Sequence, residues 1–273
     1  MPEDLIAGHR TPWRVWHRGA ARPVLALHCS LAHAGAWSGL AEQLHGVTIT
    51  AMDQPGHGRS ANWDSGADLH ALTTRIASVM AEMVGEGGPV DLFGHSFGGT
   101  VALRIALDRP DLVRSLTLVE PVIFAAAGAV HDPAYAPFRA AHLKFARLIE
   151  TGLREEGAAL FHSIWGTGEA FADLPERQRH YMLERIHFIV AQNPVLLDDA
   201  AGLLRGGGLE GINLPVLLVE GGESPPIIAA VMAALAARLP RVTRLVMPGA
   251  GHMVPITHAV ALAPQVQAHL DAA

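Results

Sequence analysis

The chain has one cysteine, few aromatic residues (5%) and few charged residues (17%). A single cysteine, Cys29, allows no disulfide bond within the chain, which fits a reducing compartment and predicts a cytoplasmic protein. No hydrophobic run reaches the roughly 20 residues that span a bilayer. The acidic start at residues 1–4 also lacks the apolar stretch of a signal peptide. We therefore expect no signal peptide and no membrane partner.

Clustered charge is also lacking. The formal net charge is -6 and the lysines and arginines are scattered, so no nucleic-acid partner is expected. Sixteen histidines are present, but none stand in a His-x-x-x-His or Cys/His cluster, so neither a metal nor another cofactor is predicted. The expected binding partner is a small molecule, and the protein itself is expected to be a monomer or a homodimer.

Short apolar runs alternate along the sequence with longer helical patterns. Hydrophobic residues make up 50% of the 273, enough for one sizeable core. The alternation is typical of an α/β protein, in which a mostly parallel sheet carries helices on both faces. Buried strands are predicted at residues 24–28, 47–52, 90–93, 115–119, 214–219 and 243–247, with a more polar edge strand at 11–17. Helices are predicted at residues 34–44, 69–84, 98–108, 226–239 and 258–271.

The alternation stops between two of the predicted strands. Residues 121–209, the cap segment, contain helical patterns with no strand between them. We expect this segment to be a helical cap, and residues 1–120 and 210–273 to form the core domain. Helices within it are predicted at residues 133–151, 153–164, 175–192 and 195–204.

A Gly-x-Ser-x-Gly turn stands between a predicted strand and a predicted helix. Its sequence is Gly94-His95-Ser96-Phe97-Gly98. Such a turn holds its serine in strained backbone angles, and the glycines avoid clashes that a Cβ would cause. The serine hydroxyl is then exposed beside the positive end of the helix. Ser96 is therefore the predicted nucleophile.

With this turn and three further motifs in order, the sequence resembles the α/β-hydrolase superfamily. The motifs are Leu27-His28-Cys29-Ser30 with Trp37 downstream, residues 53–60 (DQPGHGRS), and residues 248–253 (PGAGHM). The resemblance covers most of the chain outside the cap segment. It implies a three-layer α/β-hydrolase fold, with a helical lid inserted after the strand that follows the nucleophile helix.

The resemblance also implies roles for other residues. His252 is expected to be the general base, whereas His95, His57 and His28 are expected to be structural. The oxyanion hole is expected to consist of the backbone N–H groups of Phe97 and Ser30. Cys29 replaces the glycine of the family's His-Gly-x loop, so Leu31 is an alternative to Ser30. Cys29 is interpreted as a small apolar residue that fills a tight turn.

The acid of the triad departs from the common pattern. The position where most relatives carry aspartate is Ser224 here, and a serine cannot stabilise an imidazolium as a carboxylate does. Glu120, directly after the strand predicted at residues 115–119, is favoured because some relatives place their acid at the end of this strand. Glu223 is the alternative.

The predicted function is hydrolysis of a carboxylic ester through an acyl-enzyme on Ser96. A serine at the turn argues against epoxide hydrolases and haloalkane dehalogenases, which need aspartate there. A lactonase, or a hydrolase of carbon–carbon bonds in aromatic-degradation products, is an alternative, although Met253 stands where the latter usually have tryptophan. A non-catalytic ligand receptor on the same fold is a further alternative.

Overall fold

The computed structural model describes all 273 residues, and an eight-stranded sheet runs through its centre. The strands lie in the order β1-β2-β4-β3-β5-β6-β7-β8. The pairs β1–β2 and β2–β4 are antiparallel and the remaining five are parallel. The strands are β1 Glu3–Ile6, β2 His9–Trp16, β3 Arg22–Leu27, β4 Val47–Met52, β5 Val90–His95, β6 Val113–Val119, β7 Val216–Gly221 and β8 Val242–Met247.

Helices cover both faces of the sheet, because the central strands are apolar on both sides. Along β5, Leu92 packs into the larger core on one face and Phe93 into the smaller core on the other. The larger core includes α2, α3 and α10, and the smaller one α1, α11 and α12. The helices of this part of the chain are α1 Ser38–Ala41, α2 Leu69–Gly85, α3 Phe97–Asp108, α10 Pro226–Ala236, α11 Val254–Thr257 and α12 Ala259–Asp271.

The cap segment, between β6 and β7, has helices but no strand. One small core lies inside it and includes Phe145, Phe171 and Ile186. Other apolar side chains of the segment, such as Phe124 and Leu196, belong to the larger core of the sheet. The segment is therefore packed on the sheet as well as on itself. Its helices are α4 Ala125–Ala129, α5 Tyr135–Glu150, α6 Arg154–Trp165, α7 Glu176–Arg185, α8 His187–Ala191 and α9 Asn193–Asp198.

The predicted α/β-hydrolase fold class is confirmed, but several details differ. The strand predicted at the sheet edge is not an edge strand, because the short strand β1 pairs with β2 on its outer side. The helix predicted at residues 34–44 is a 3₁₀ turn followed by the single turn α1. The pattern at residues 175–192 is divided into α7 and α8, and α9 ends at Asp198, before a left-handed Asp199. None of the helices combines the length and apolar character that crossing a membrane requires.

Candidate active site

Ser96 lies at a sharp turn between β5 and α3. Its backbone has φ 56° and ψ -119°, a region that residues with a side chain rarely adopt. A Cβ on Gly94 would lie 2.5 Å from the carbonyl oxygen of Gly98, and a Cβ on Gly98 would overlap the carbonyl oxygen of Leu27. Both glycines are therefore required for the close approach of the turn to its neighbours.

His252 and Glu120 are brought together although they lie 132 residues apart in the chain. Nδ1 of His252 is 2.5 Å from Oε2 of Glu120, and both side chains are buried. Glu120 comes directly after β6, and its backbone is also left-handed, with φ 46°. His252 lies in the loop between β8 and α11. The contact holds the imidazole in one orientation and places a proton on Nδ1, between the two side chains.

The second oxygen of the Glu120 carboxylate is also satisfied. Oε1 accepts hydrogen bonds from the backbone N–H of Gly221 at 2.6 Å and from the hydroxyl of Ser224 at 2.5 Å. Because Glu120 is fully buried, these donors offset the cost of removing its carboxylate from water. The alternative acid, Glu223, is exposed and its side chain makes no hydrogen bond or ion pair. The structure thus places Glu120, and not Glu223, at His252.

Ser96 and His252 line the same cavity, of about 160 Å³. No hydrogen bond joins the Ser96 hydroxyl to the His252 ring. Catalytic hydrogen bonds are often long in unliganded enzymes and tighten when the substrate binds. Because Glu120 occupies Nδ1, the Nε2 atom of His252 is left to accept a proton.

Backbone N–H groups without an intramolecular acceptor occur next to Ser96 and on the loop after β3. Phe97 is the first residue of α3, and the N–H groups of a first helical turn have no partner within the helix. On the other side, the loop after β3 brings Ser30 and Leu31 to the cavity wall, and neither N–H donates a hydrogen bond within the protein. Leu31 is left-handed, with φ 62°. Both predicted loop donors therefore remain available.

The other three histidines of the motifs, His95, His28 and His57, form hydrogen bonds with groups other than the Ser96 hydroxyl. His95 bonds through Nε2 to the carbonyl oxygen of His252 at 2.8 Å, and burial holds its pKa well below the usual value. Burial also lowers the pKa of His28 to about 4 and that of His57 to about 3. These rings are neutral near pH 7. His95 supports the backbone that carries His252, while His28 and His57 brace neighbouring loops.

The cap segment contributes contacts that sequence reasoning did not identify. The Trp165 ring packs against the His252 ring, with centroids 4.8 Å apart and planes at 64°. The Gln192 amide lies 2.8 Å (Nε2) and 3.0 Å (Oε1) from the hydroxyl of Ser30. Neither residue belongs to a motif, and only their aromatic or polar character within a helical pattern could have drawn attention to them. The cap segment is thus in direct contact with the candidate base and with the loop of Ser30.

A second contact fastens α7 to the loops of the sheet. The Tyr181 hydroxyl accepts a hydrogen bond from the Gly58 N–H at 2.9 Å and donates one to the Ala32 carbonyl at 3.0 Å. Arg185 stacks on the Tyr181 ring at 3.9 Å and donates to the Gly56 carbonyl at 3.0 Å. The loop of Ala32, which lines the cavity, and the loop of Gly56 and Gly58 are therefore tied to the same cap helix.

Cys29 is buried beside this loop and lines the cavity. Its burial raises the pKa of the thiol to about 12, so the thiol keeps its proton near neutral pH. A protonated thiol is a weak nucleophile. The residue therefore contributes a small neutral wall and no reactive thiolate.

Comparison with known proteins places the chain among hydrolases. Residues 24–265 match the sequence model of the alpha/beta hydrolase family. The chain is 41% identical to lipase LipV of Mycobacterium tuberculosis over 108 residues, which are 38% of this chain and 39% of that protein. It is 25% identical to the (E)-2-((N-methylformamido)methylene)succinate hydrolase of Acinetobacter baylyi over 97% of this chain and 96% of that protein.

Solved structures show the same fold. The enol-lactonase from Burkholderia xenovorans LB400 aligns with a TM-score of 0.73 over 99% of this chain and all of that chain, at 19% identity. A thermophilic esterase aligns with a TM-score of 0.70 over 99% of this chain and 96% of that chain, at 22% identity. At these identities the agreement concerns the arrangement of strands and helices.

Proposed function

The chain belongs to the alpha/beta hydrolase family, and from that premise we propose that it hydrolyses a carboxylic ester through an acyl-enzyme on Ser96. The observation that carries the proposal is the hydrogen bond between His252 and the buried Glu120, at the wall of the cavity that Ser96 also lines. A serine hydroxyl needs such a base, and the base needs a buried carboxylate to orient it.

In the proposed reaction, Ser96 attacks the ester carbonyl carbon while Nε2 of His252 takes the hydroxyl proton. Glu120 stabilises the imidazolium that forms and keeps its own charge. When the tetrahedral intermediate collapses, the imidazolium gives its proton to the leaving alkoxide, which departs as the alcohol. A water molecule, activated by the same imidazole, then attacks the acyl-enzyme and releases the acid and Ser96.

In this proposal, the N–H groups of Phe97 and Ser30 donate hydrogen bonds to the negatively charged oxygen of the tetrahedral intermediate. Each donor of this kind contributes roughly 100- to 1000-fold to turnover. Support comes from their lack of any intramolecular acceptor and from the N-terminal end of α3, which favours negative charge. Leu31 is the alternative donor on the loop.

We propose that the cap segment forms the roof of the substrate site. The cavity wall combines motif residues of the sheet with cap residues, among them Phe124, Trp165 and Met182. This wall is largely apolar, as sites for small organic ligands usually are. Apolar surroundings also strengthen the interaction of the base with its carboxylate by excluding water.

A fluorophosphonate probe tests the proposal, with intact-mass detection and a parallel assay of 4-nitrophenyl acetate hydrolysis. We expect one adduct and turnover in the natural protein, and neither in S96A. The matched control is S30A, which removes the other serine hydroxyl in the cavity and should keep the adduct. If the natural protein takes up no probe but binds a small molecule tightly, it is a receptor and the proposed function is wrong.

A further inference from the structure

The wall of the cavity at Ser96 contains no permanently charged side chain. None of the 21 residues of its wall is a lysine, arginine, aspartate or glutamate. Polar groups are present, including Gln178, Gln192 and His142, but they are neutral at working pH or uncharged by nature. Burial lowers the pKa of His142, whose Nε2 lies 2.7 Å from Oδ1 of Asn193. A ligand in this cavity would therefore meet hydrogen-bonding groups without a counter-ion.

One arginine near the cavity, Arg185, already has other partners. Arg185 touches the Tyr181 ring, which lines the cavity, but its guanidinium donates to the Gly56 carbonyl and to the Glu184 carboxylate. Neither Arg185 nor any other arginine forms part of the cavity wall. A carboxylate bound beyond the reacting carbonyl would remain unpaired, and burying an unpaired charge is strongly unfavourable.

The surface next to the cavity carries negative charge, which would repel an anionic substrate. His162 lines both the cavity and an outer groove formed by α6 and the segment before α7. That groove carries the carboxylates of Glu155, Glu156 and Glu169 against one arginine, Arg179. An anion that approaches along this groove would meet a net negative field.

We propose that the substrate is an uncharged acyl compound and that esters carrying a free carboxylate on the acyl arm are rejected. This inference rests on the proposed function, because it concerns the acyl arm of an ester attacked by Ser96. The cavity volume limits the size of the acyl arm, since about 160 Å³ resembles the volumes of cavities that hold a single aromatic ring. The arm is therefore compact, with neutral hydrogen-bonding groups at most.

Two esters that differ in one charge test the inference. Methyl 4-nitrophenyl succinate and mono-4-nitrophenyl succinate share the scissile bond, and only the second carries a carboxylate. Rates with S96A are subtracted, because the free carboxylate speeds loss of nitrophenol in solution. We expect kcat/KM of the natural protein to be at least about 100-fold higher for the neutral ester, which corresponds to about 2.7 kcal/mol. Comparable values, within about threefold, overturn the inference while leaving the proposed function intact.

A charge placed at the cavity provides the second arm of the test. Gln178 is exposed on α7, one turn before Tyr181 and Met182, and all three line the cavity. We expect Q178R to raise kcat/KM for the anionic ester at least tenfold, whereas Q178M should keep the natural ratio between the two esters. If Q178R brings no gain, charge does not exclude the anionic ester and the inference fails. Absence of both turnover and fluorophosphonate labelling would instead refute the proposed function itself.

Discussion

The Ser224 hydroxyl donates a hydrogen bond of 2.5 Å to Oε1 of Glu120, whose Oε2 contacts Nδ1 of His252. Ser224 stands where the family's common pattern places an aspartate. The two residues approach because β6 and β7 are adjacent parallel strands, so Glu120 at the end of one lies beside Gly221 at the end of the other. The serine thus supports a carboxylate that comes from the neighbouring strand.

Replacing Glu120 is expected to cost most of the activity. E120Q keeps the size of the side chain but removes the charge that orients His252 and stabilises its protonated form. We expect kcat for 4-nitrophenyl acetate to fall roughly 1000- to 10,000-fold. E223Q is the matched control and should stay within about twofold of the natural protein, since Glu223 is exposed and unbonded. The reverse result, with E223Q inactive and E120Q active, would move the acid to Glu223.

Ser224 is expected to act as a positioning residue for Glu120. S224A removes one of two donors to Oε1, and hydrogen bonds to a charged group contribute about 1.5 kcal/mol or more. We expect kcat to fall roughly tenfold while KM stays nearly constant. S224T keeps the hydroxyl and should retain most of the turnover. Equal kcat values for S224A and the natural protein would show that the Gly221 N–H alone holds the carboxylate.

Trp165 is expected to restrict the His252 ring from the cap side. The two rings are in contact, and aromatic pairs of this kind contribute about 1 kcal/mol beyond the area they bury. We expect W165L to lower kcat roughly fivefold, and W165F, which keeps an aromatic ring, to lower it less. Steady-state kinetics with 4-nitrophenyl acetate measure both. A rise in KM at unchanged kcat would mean that Trp165 only binds substrate.

Acid is expected to destabilise the fold through its buried histidines. The folded protein holds His57 neutral down to about pH 3, whereas the unfolded chain takes up a proton at about pH 6.5. Stability from this group is complete above about pH 6.5 and is lost as pH falls toward 3, by about 1.4 kcal/mol per pH unit. His28 and His70, with pKa values lowered to about 4, act in the same direction.

H57N tests this linkage. Asparagine can keep the hydrogen bond that Nδ1 of His57 makes with the Pro55 carbonyl oxygen, but it does not titrate. Between about pH 7 and about pH 5, the free energy of urea unfolding should fall by about 2 kcal/mol less in H57N than in the natural protein. An unchanged slope would show that His57 takes up no proton on unfolding.

Local patterns in the sequence were sufficient for seven of the eight strands, the turn at Ser96 and most helix positions. Alternating apolar runs predict the strands because each central strand is covered on both faces. Steric demands of the turn are likewise local, since Gly94 and Gly98 stand two residues from Ser96 on either side. The edge strand β1 was missed because it has only four residues, two charged and two apolar, and three of the four are exposed.

The sequence by itself determined the fold class and the presence of a serine turn, because both depend on short-range periodicity and on glycine sterics. Only the tertiary structure decided which carboxylate meets His252, through the register of β6 against β7 and the loop after β8. The same holds for Ser224, Trp165 and Gln192. Their contacts join segments far apart in the chain, and no local pattern encodes the distance between two strand ends or the path of a helix across a loop.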